Sequence, residues 1–225
     1  MKTNRRVHPA WIAAIVTFFT LVATAGFRSA PAVLILPLQD AFGWNRDEIS
    51  LAIAINVLLY GLTAPFAAAL MERFTVRKVV MGALTTVSTG AFLTTQIHAP
   101  WQLIATWGVI VGVGTGSMAL VFAATVANRW FVKRRGLVIG GLTAASATGQ
   151  LIFLPGLTHL SGMYGWKSIG MTIGAAALLM VPMIYLFLQE KPSDLGVLPY
   201  GAPDDWTPPV RSEMKAARLA IVTLK

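Results

Sequence analysis

Cysteine is absent from the sequence, which excludes a disulfide framework, a thiolate metal site and a cysteine nucleophile. Charge is nearly as scarce. Asp, Glu, Lys and Arg make up 12% of the 225 residues, against about a quarter in an ordinary soluble domain. Nine residues are acidic, and none of them lies between Glu72 and Glu190. No nucleophile, base and orienting group stand together in the chain, so the residues do not describe an enzyme. No cofactor is implied either, because the one GxG pattern, in "GVIVGVGTGS", has neither the preceding strand nor the polar face that a dinucleotide site needs.

Hydrocarbon takes the place of charge. The composition is 56% hydrophobic and the mean hydropathy is +0.67, more apolar surface than a water-soluble fold of this size can hide. Six long runs, at 11–38, 49–71, 79–97, 101–127, 136–160 and 168–189, contain no Asp, Glu, Lys or Arg except Arg28. A helix of roughly 20 apolar residues crosses the hydrocarbon core of a bilayer, and a spanning segment must satisfy its backbone groups internally. The expected fold is all-α: a six-transmembrane-helix bundle over 1–189. A cytoplasmic linker and the start of a truncated seventh span are expected over 190–225. The basic head and apolar run at the amino terminus imitate a signal peptide, but the run is too long for one and reads as an uncleaved first helix.

Eighteen Lys and Arg are distributed unevenly. Lys2, Arg5 and Arg6 precede the first run; Arg73, Arg77 and Lys78 separate the second from the third; Arg129, Lys133, Arg134 and Arg135 separate the fourth from the fifth; five more follow the sixth. The alternate loops hold only Arg46 and Lys167. By the positive-inside rule both termini are cytoplasmic, in a multi-pass protein of the inner membrane. The sequence pI near 10.4 is then a topology signal whose partner is the lipid bilayer. Nucleic acid is not a partner, since there is no soluble domain over which to spread these charges. Trp44, Trp101 and Trp166 at outer ends, with Trp11 and Trp130 at inner ends, suit the same register.

Local signals refine the picture. Asn45 and Glu48 have capping-box spacing at the start of the second run. Gly108, Gly112 and Gly116 recur every four residues and make a smooth stripe for close helix packing. Gly140 and Gly141, with Ala144, Ala145 and Ala147, are expected to serve likewise in the fifth run.

Four segments in order, "FGWNRDEIS", "RWFVKRRG", "MYGWKSIG" and "EKPSDLGVLPYG", resemble the major facilitator superfamily, and within it monocarboxylate-transporter-like and oxalate:formate-antiporter-like members. The family's signature between the second and third spans, a Gly, an acid–Arg pair, a Gly and further cations, falls on Ala68, Glu72, Arg73, Thr75, Arg77 and Lys78. Both glycines are missing and Glu replaces the usual Asp. Gly108 stands where many members carry an Arg. The resemblance implies a twelve-helix fold of two halves, each a 3+3 inverted repeat, of which this chain matches the amino-terminal half. It also implies a second six-helix half as partner, from the same longer chain, a separate chain or a homodimer. Glu72, Arg73, Arg77 and Lys78 are implied as a conformational-gate loop.

Chemistry must come from polar residues inside the spans. A charged residue at the centre of a membrane helix costs about 2.5–3.5 kcal/mol on insertion scales and persists when it faces a cavity or partner. Arg28 is such a residue, nearer the outer than the inner surface, and it either snorkels outward or serves as a substrate cation. Its rigid fork suits a carboxylate, so on the second reading a small organic anion such as a mono- or dicarboxylate is the expected substrate. Asn56, Tyr60 and Gln150 are the candidates to assist it. The only titrating group in a span besides Arg28 is His159 near an outer end, so proton coupling would need a carboxylate from the other half; exchange of one anion for another would need none. The expected function is secondary active transport, by symport or antiport, through alternating access. The alternative is a truncated membrane-embedded interaction or remnant protein that transports nothing.

Overall fold

The computed structural model describes residues 8–118, 120–203 and 205–207. Among them six helical rods carry the fold: α1 (Pro9–Phe42), α2 (Arg46–Arg73), α3 (Val76–Thr94), α4 (Pro100–Trp130), α5 (Arg135–Tyr164) and α6 (Lys167–Phe187). All but α3 are long and apolar enough to cross a membrane. The rod α3 has 19 residues and carries Arg77 and Lys78 in its first turn. Residues 208–225, where a seventh span was expected to start, lie outside the described residues, as do Lys2, Arg5 and Arg6.

Most rods outrun the apolar runs, because polar residues cap the ends without interrupting the helix. The rod α1 continues through Pro37 and includes Asp40 before Gly43, at φ +68°, closes it in the left-handed conformation that glycine allows. Glu48 accepts a hydrogen bond from the Asn45 N–H at 3.0 Å, as the capping spacing predicts. Thr75 caps α3 by accepting from the Lys78 N–H at 3.2 Å. The rod α4 departs from the single uniform span expected over 101–127: residues Ile104–Val111 are a π-helix between α-helical pieces. There the Asn56 amide donates to the Trp107 carbonyl at 2.7 Å, and a neighbouring side chain bonded into the ladder accompanies such a departure from α geometry.

Packing is pairwise. The main partner of α1 is α5, that of α2 is α4, and that of α3 is α6. Exchanging the first three rods with the last three turns the α1–α5 pair into α4–α2 and maps α3–α6 onto itself, which is the pattern of a 3+3 repeat. Small residues at each seam let the backbones approach. A Cβ on Gly116 would stand 2.7 Å from the Tyr60 carbonyl oxygen, and one on Gly149 would stand 2.6 Å from that of Val22. The stripe of Gly108, Gly112 and Gly116 therefore packs α4 on α2 as expected. Gly140 and Gly141 do not: both are exposed and a Cβ there would meet nothing within 4 Å. The seam of α5 with α1 runs through Gly149, on another face.

Aromatic clusters close both ends. At one, Phe42 stacks on Trp44 at 4.6 Å and meets Trp166 edge-on at 5.4 Å. At the other, which carries the cationic loops, Trp11, Phe131 and Tyr200 surround one another at 5.4–5.8 Å. The segment after α6 turns through Pro192–Leu195 and comes back, so that Tyr200 N–H donates to Trp130 O at 2.8 Å and Tyr200 O accepts from Val132 and Lys133 N–H at 3.0 and 3.2 Å.

Candidate functional site

Between α1, α2, α4 and α5 lies a cavity of about 280 Å³. Leu21, Phe27, Met118 and Leu142 supply apolar wall, and Thr24, Arg28, Tyr60, Thr115, Thr143, Ser146 and Gln150 supply polar groups. Arg28 enters it from just past the middle of α1, exposed on the open side of the bundle. Its guanidinium carbon lies 5.1 Å from the centroid of the Tyr60 ring, within cation–π range. Tyr60 is held there from below, because Gly116 lets α4 rest on its carbonyl and Cα. Among the described residues the ion pair found is Arg129–Glu190, so Arg28 has no carboxylate beside it.

The other expected residues divide. Gln150 lines the cavity, its amide donating to Ser146 O at 3.4 Å, and its own carbonyl accepts from the Ser29 hydroxyl at 3.4 Å. Asn56 is not among the lining residues; its amide ties α2 to α4 through Trp107 O. Thr143 and Ser146 were not singled out from the sequence, although with Gln150 they repeat at helical spacing along one face of α5.

The loop between α2 and α3 is built around a different carboxylate from the one expected. Glu72 is exposed, and among the described residues no ion pair involves it. Glu190, from beyond the end of α6, accepts from Val76 N–H at 2.9 Å and Arg77 N–H at 2.7 Å, and pairs with Arg129 at 3.1 Å. Two backbone N–H groups at the start of α3 would otherwise be orphans, and a carboxylate suits the positive end of the helix dipole. Arg129 also donates to Met71 O at 3.4 Å. Arg77 donates to Tyr185 O at 3.2 Å with its guanidinium 5.3 Å over the Tyr185 ring. Arg73 lies 5.5 Å over Phe74, and Lys78 is exposed. A contact between residues 61 apart, Arg129 and Glu190, leaves no local periodicity to read. Among the described residues no group of three or more His, Asp or Glu could hold a metal ion.

Comparison with known proteins agrees with this architecture. The family model described as Major Facilitator Superfamily matches residues 13–223. The protein named Uncharacterized MFS-type transporter YcxA, of Bacillus subtilis (strain 168), is 27% identical over 195 residues, covering 85% of this chain and 47% of that protein. Monocarboxylate transporter 7 of Homo sapiens is 30% identical over 175 residues, covering 76% of this chain and 32% of the relative. Monocarboxylate transporter 9 of Gallus gallus is also 30% identical, over 174 residues, at 75% and 33% coverage. The chain thus spans less than half the length of these relatives. With its long apolar rods and this match across most of its length, it is an integral, multi-pass membrane protein that belongs to the Major Facilitator Superfamily, as a member similar to the monocarboxylate transporters.

Proposed function

We propose that the chain forms one half of a secondary transporter that moves a small organic anion by alternating access, with Arg28 as the cation that receives the substrate's carboxylate. The observation that carries this reading is a guanidinium placed in the cavity without a carboxylate partner, supported from one side by Tyr60. A charge in such a position is costly in a bilayer, and a bound anion removes that cost. The printed names of the relatives, monocarboxylate transporters, favour the same class of substrate. Gln150 is the second polar group of the site, Tyr60 the support, and Asn56 a fastener between helices. A second six-helix half completes the site from the exposed side of Arg28, where α2 and α5 show the least buried apolar faces of the five long rods. Both termini are cytoplasmic in this proposal, and the loop of Glu72, Arg73, Arg77 and Lys78 moves with the half as a gate.

Binding of a monocarboxylate to the purified chain assembled with a second six-helix half, and to its Arg28→Gln and Arg28→Lys variants, tests the reading. Loss of binding in Arg28→Gln, with weakened binding in Arg28→Lys, is expected. Unchanged affinity in Arg28→Gln would show that the guanidinium does not hold the anion.

A further inference from the structure

The polar groups of the cavity are not equivalent once their hydrogen bonds are assigned. Thr24 donates its hydroxyl to Thr20 O at 2.8 Å, Thr115 to Gly112 O at 3.0 Å, and Thr143 to Ile139 O at 2.8 Å. Each has spent its single donor on its own helix, and what it still offers is an oxygen lone pair. Gln150, whose amide N–H donates to Ser146 O, keeps its side-chain oxygen as a further acceptor, and Ser146 has a hydroxyl with no partner among the described residues. One end of the cavity therefore holds a strong cationic donor, Arg28, while the rest of its polar lining is mostly acceptor. Thr143, Ser146 and Gln150 extend these acceptors over eight residues of α5, about 10 Å of helix.

From this pattern we infer that the substrate is a monocarboxylate bearing several hydroxyl groups along its chain, a sugar acid in chemical class. The inference rests on the reading that Arg28 binds the anion and adds what lies beyond the carboxylate. A second carboxylate would bring acceptors against acceptors, with no second cation among the described residues that line the cavity to meet it. A hydrocarbon tail would strip water from the threonine and amide oxygens and return no hydrogen bond, a loss of the kind that makes buried unpaired polar groups costly. Hydroxyl groups donate to these oxygens and accept from Ser146, so a polyhydroxylated chain satisfies the wall.

The test compares four probes on the chain assembled with a second six-helix half in lipid nanodiscs: gluconate, hexanoate, adipate and neutral glucose. Gluconate and hexanoate share a six-carbon chain and one carboxylate and differ in hydroxyls. Gluconate is expected to bind at least about ten-fold more tightly than hexanoate or adipate, and glucose more weakly than gluconate. In the Thr143→Val/Ser146→Ala variant, which preserves side-chain volume closely, the advantage of gluconate over hexanoate should shrink several-fold, with gluconate binding weakened and hexanoate binding tightened as the cost of covering those oxygens is relieved. Equal binding of gluconate and hexanoate, both lost in Arg28→Gln, would overturn this inference and leave the anion site standing. Binding of none of the anions would overturn both.

Discussion

Glu190 and Arg129 meet at 3.1 Å where the ends of α6 and α4 converge, and the same carboxylate closes the first turn of α3. Four rods are joined there, since Arg129 also reaches the last turn of α2 through Met71 O. The chain thus places its charges in two contrasting settings. At the cationic end a carboxylate is shared among a guanidinium and two amides; in the cavity a guanidinium has no carboxylate beside it among the described residues. The first arrangement fastens helices, and the second is the one we propose as the anion site.

Replacing Glu190 separates the fastening from the charge. The pair is mostly buried, with side-chain exposures of 20% and 17%, and Glu190→Gln leaves a guanidinium and one helix amide short of their acceptor. Hydrogen bonds to charged groups contribute about 1.5–3 kcal/mol each, so a loss of roughly 2–3 kcal/mol is expected in thermal or denaturant unfolding of the purified protein. Glu72→Gln, on an exposed residue of the neighbouring loop, should stay within about 0.5 kcal/mol. Equal effects of the two would show that Glu190 does not organise this end.

Glycines at the seams and glycines off them should respond oppositely to enlargement. Gly116→Val drives methyl groups into the Tyr60 carbonyl and Gly149→Val does the same at Val22, and overpacking of this kind costs about 1–3 kcal/mol or more where backbone must move. Gly140→Val meets nothing within this chain and should leave unfolding of the isolated chain nearly unchanged. The same Gly140→Val should impair assembly when a second half is supplied, if that half covers the exposed face of α5. Thermal unfolding with and without the partner half distinguishes the two cases.

The class of fold is legible in the sequence because length and hydropathy alone decide whether a helix can span a bilayer, and charge need only be counted loop by loop. The stripe of Gly108, Gly112 and Gly116 is legible for the same reason, as a period of one helix. Gly140 and Gly141 lie off the seams within this chain, because smoothness says that a face can pack and not which helix will reach it. The π-helical stretch of α4 receives a hydrogen bond from Asn56, 51 residues from Trp107, and Glu190 accepts from residues more than 110 positions away. Neither has a local signature. Arg28 stood out as a lone charge in six apolar runs. Thr143 and Ser146 did not, because hydroxyls are common in membrane helices and only their position beside Arg28 in a cavity distinguishes them.

Membrane orientation is open to a direct measurement, since the chain has no cysteine to remove. His98→Cys lies in the exposed turn between α3 and α4, and Lys133→Cys in the exposed loop between α4 and α5. A membrane-impermeant thiol reagent applied to intact cells should label His98→Cys and spare Lys133→Cys until the cells are opened. Labelling of Lys133→Cys in sealed cells would invert the topology drawn from the cation distribution.

The contact of Arg28 with Tyr60 separates a ring from a hydroxyl. A guanidinium 5.1 Å from the ring centroid gains a cation–π interaction worth about 0.5–2 kcal/mol, and the ring also restricts where the fork can point. Tyr60→Phe keeps the face and loses the hydroxyl; Tyr60→Leu keeps apolar bulk and loses the face. If the ring positions Arg28, Tyr60→Phe should bind a monocarboxylate within about three-fold of the parent, since the cation–π contact is retained. Tyr60→Leu should bind roughly ten-fold more weakly, because 1.4 kcal/mol corresponds to one decade of affinity. The coupling of ring and cation is also readable without ligand, in a double-mutant cycle of Tyr60→Leu with Arg28→Gln measured by thermal unfolding, where the cost of Tyr60→Leu should shrink once the cation is gone. Equal weakening by Phe and Leu would instead assign the role to the phenol hydroxyl, as a direct donor to the anion, and Arg28 would reach its substrate without the support of the ring.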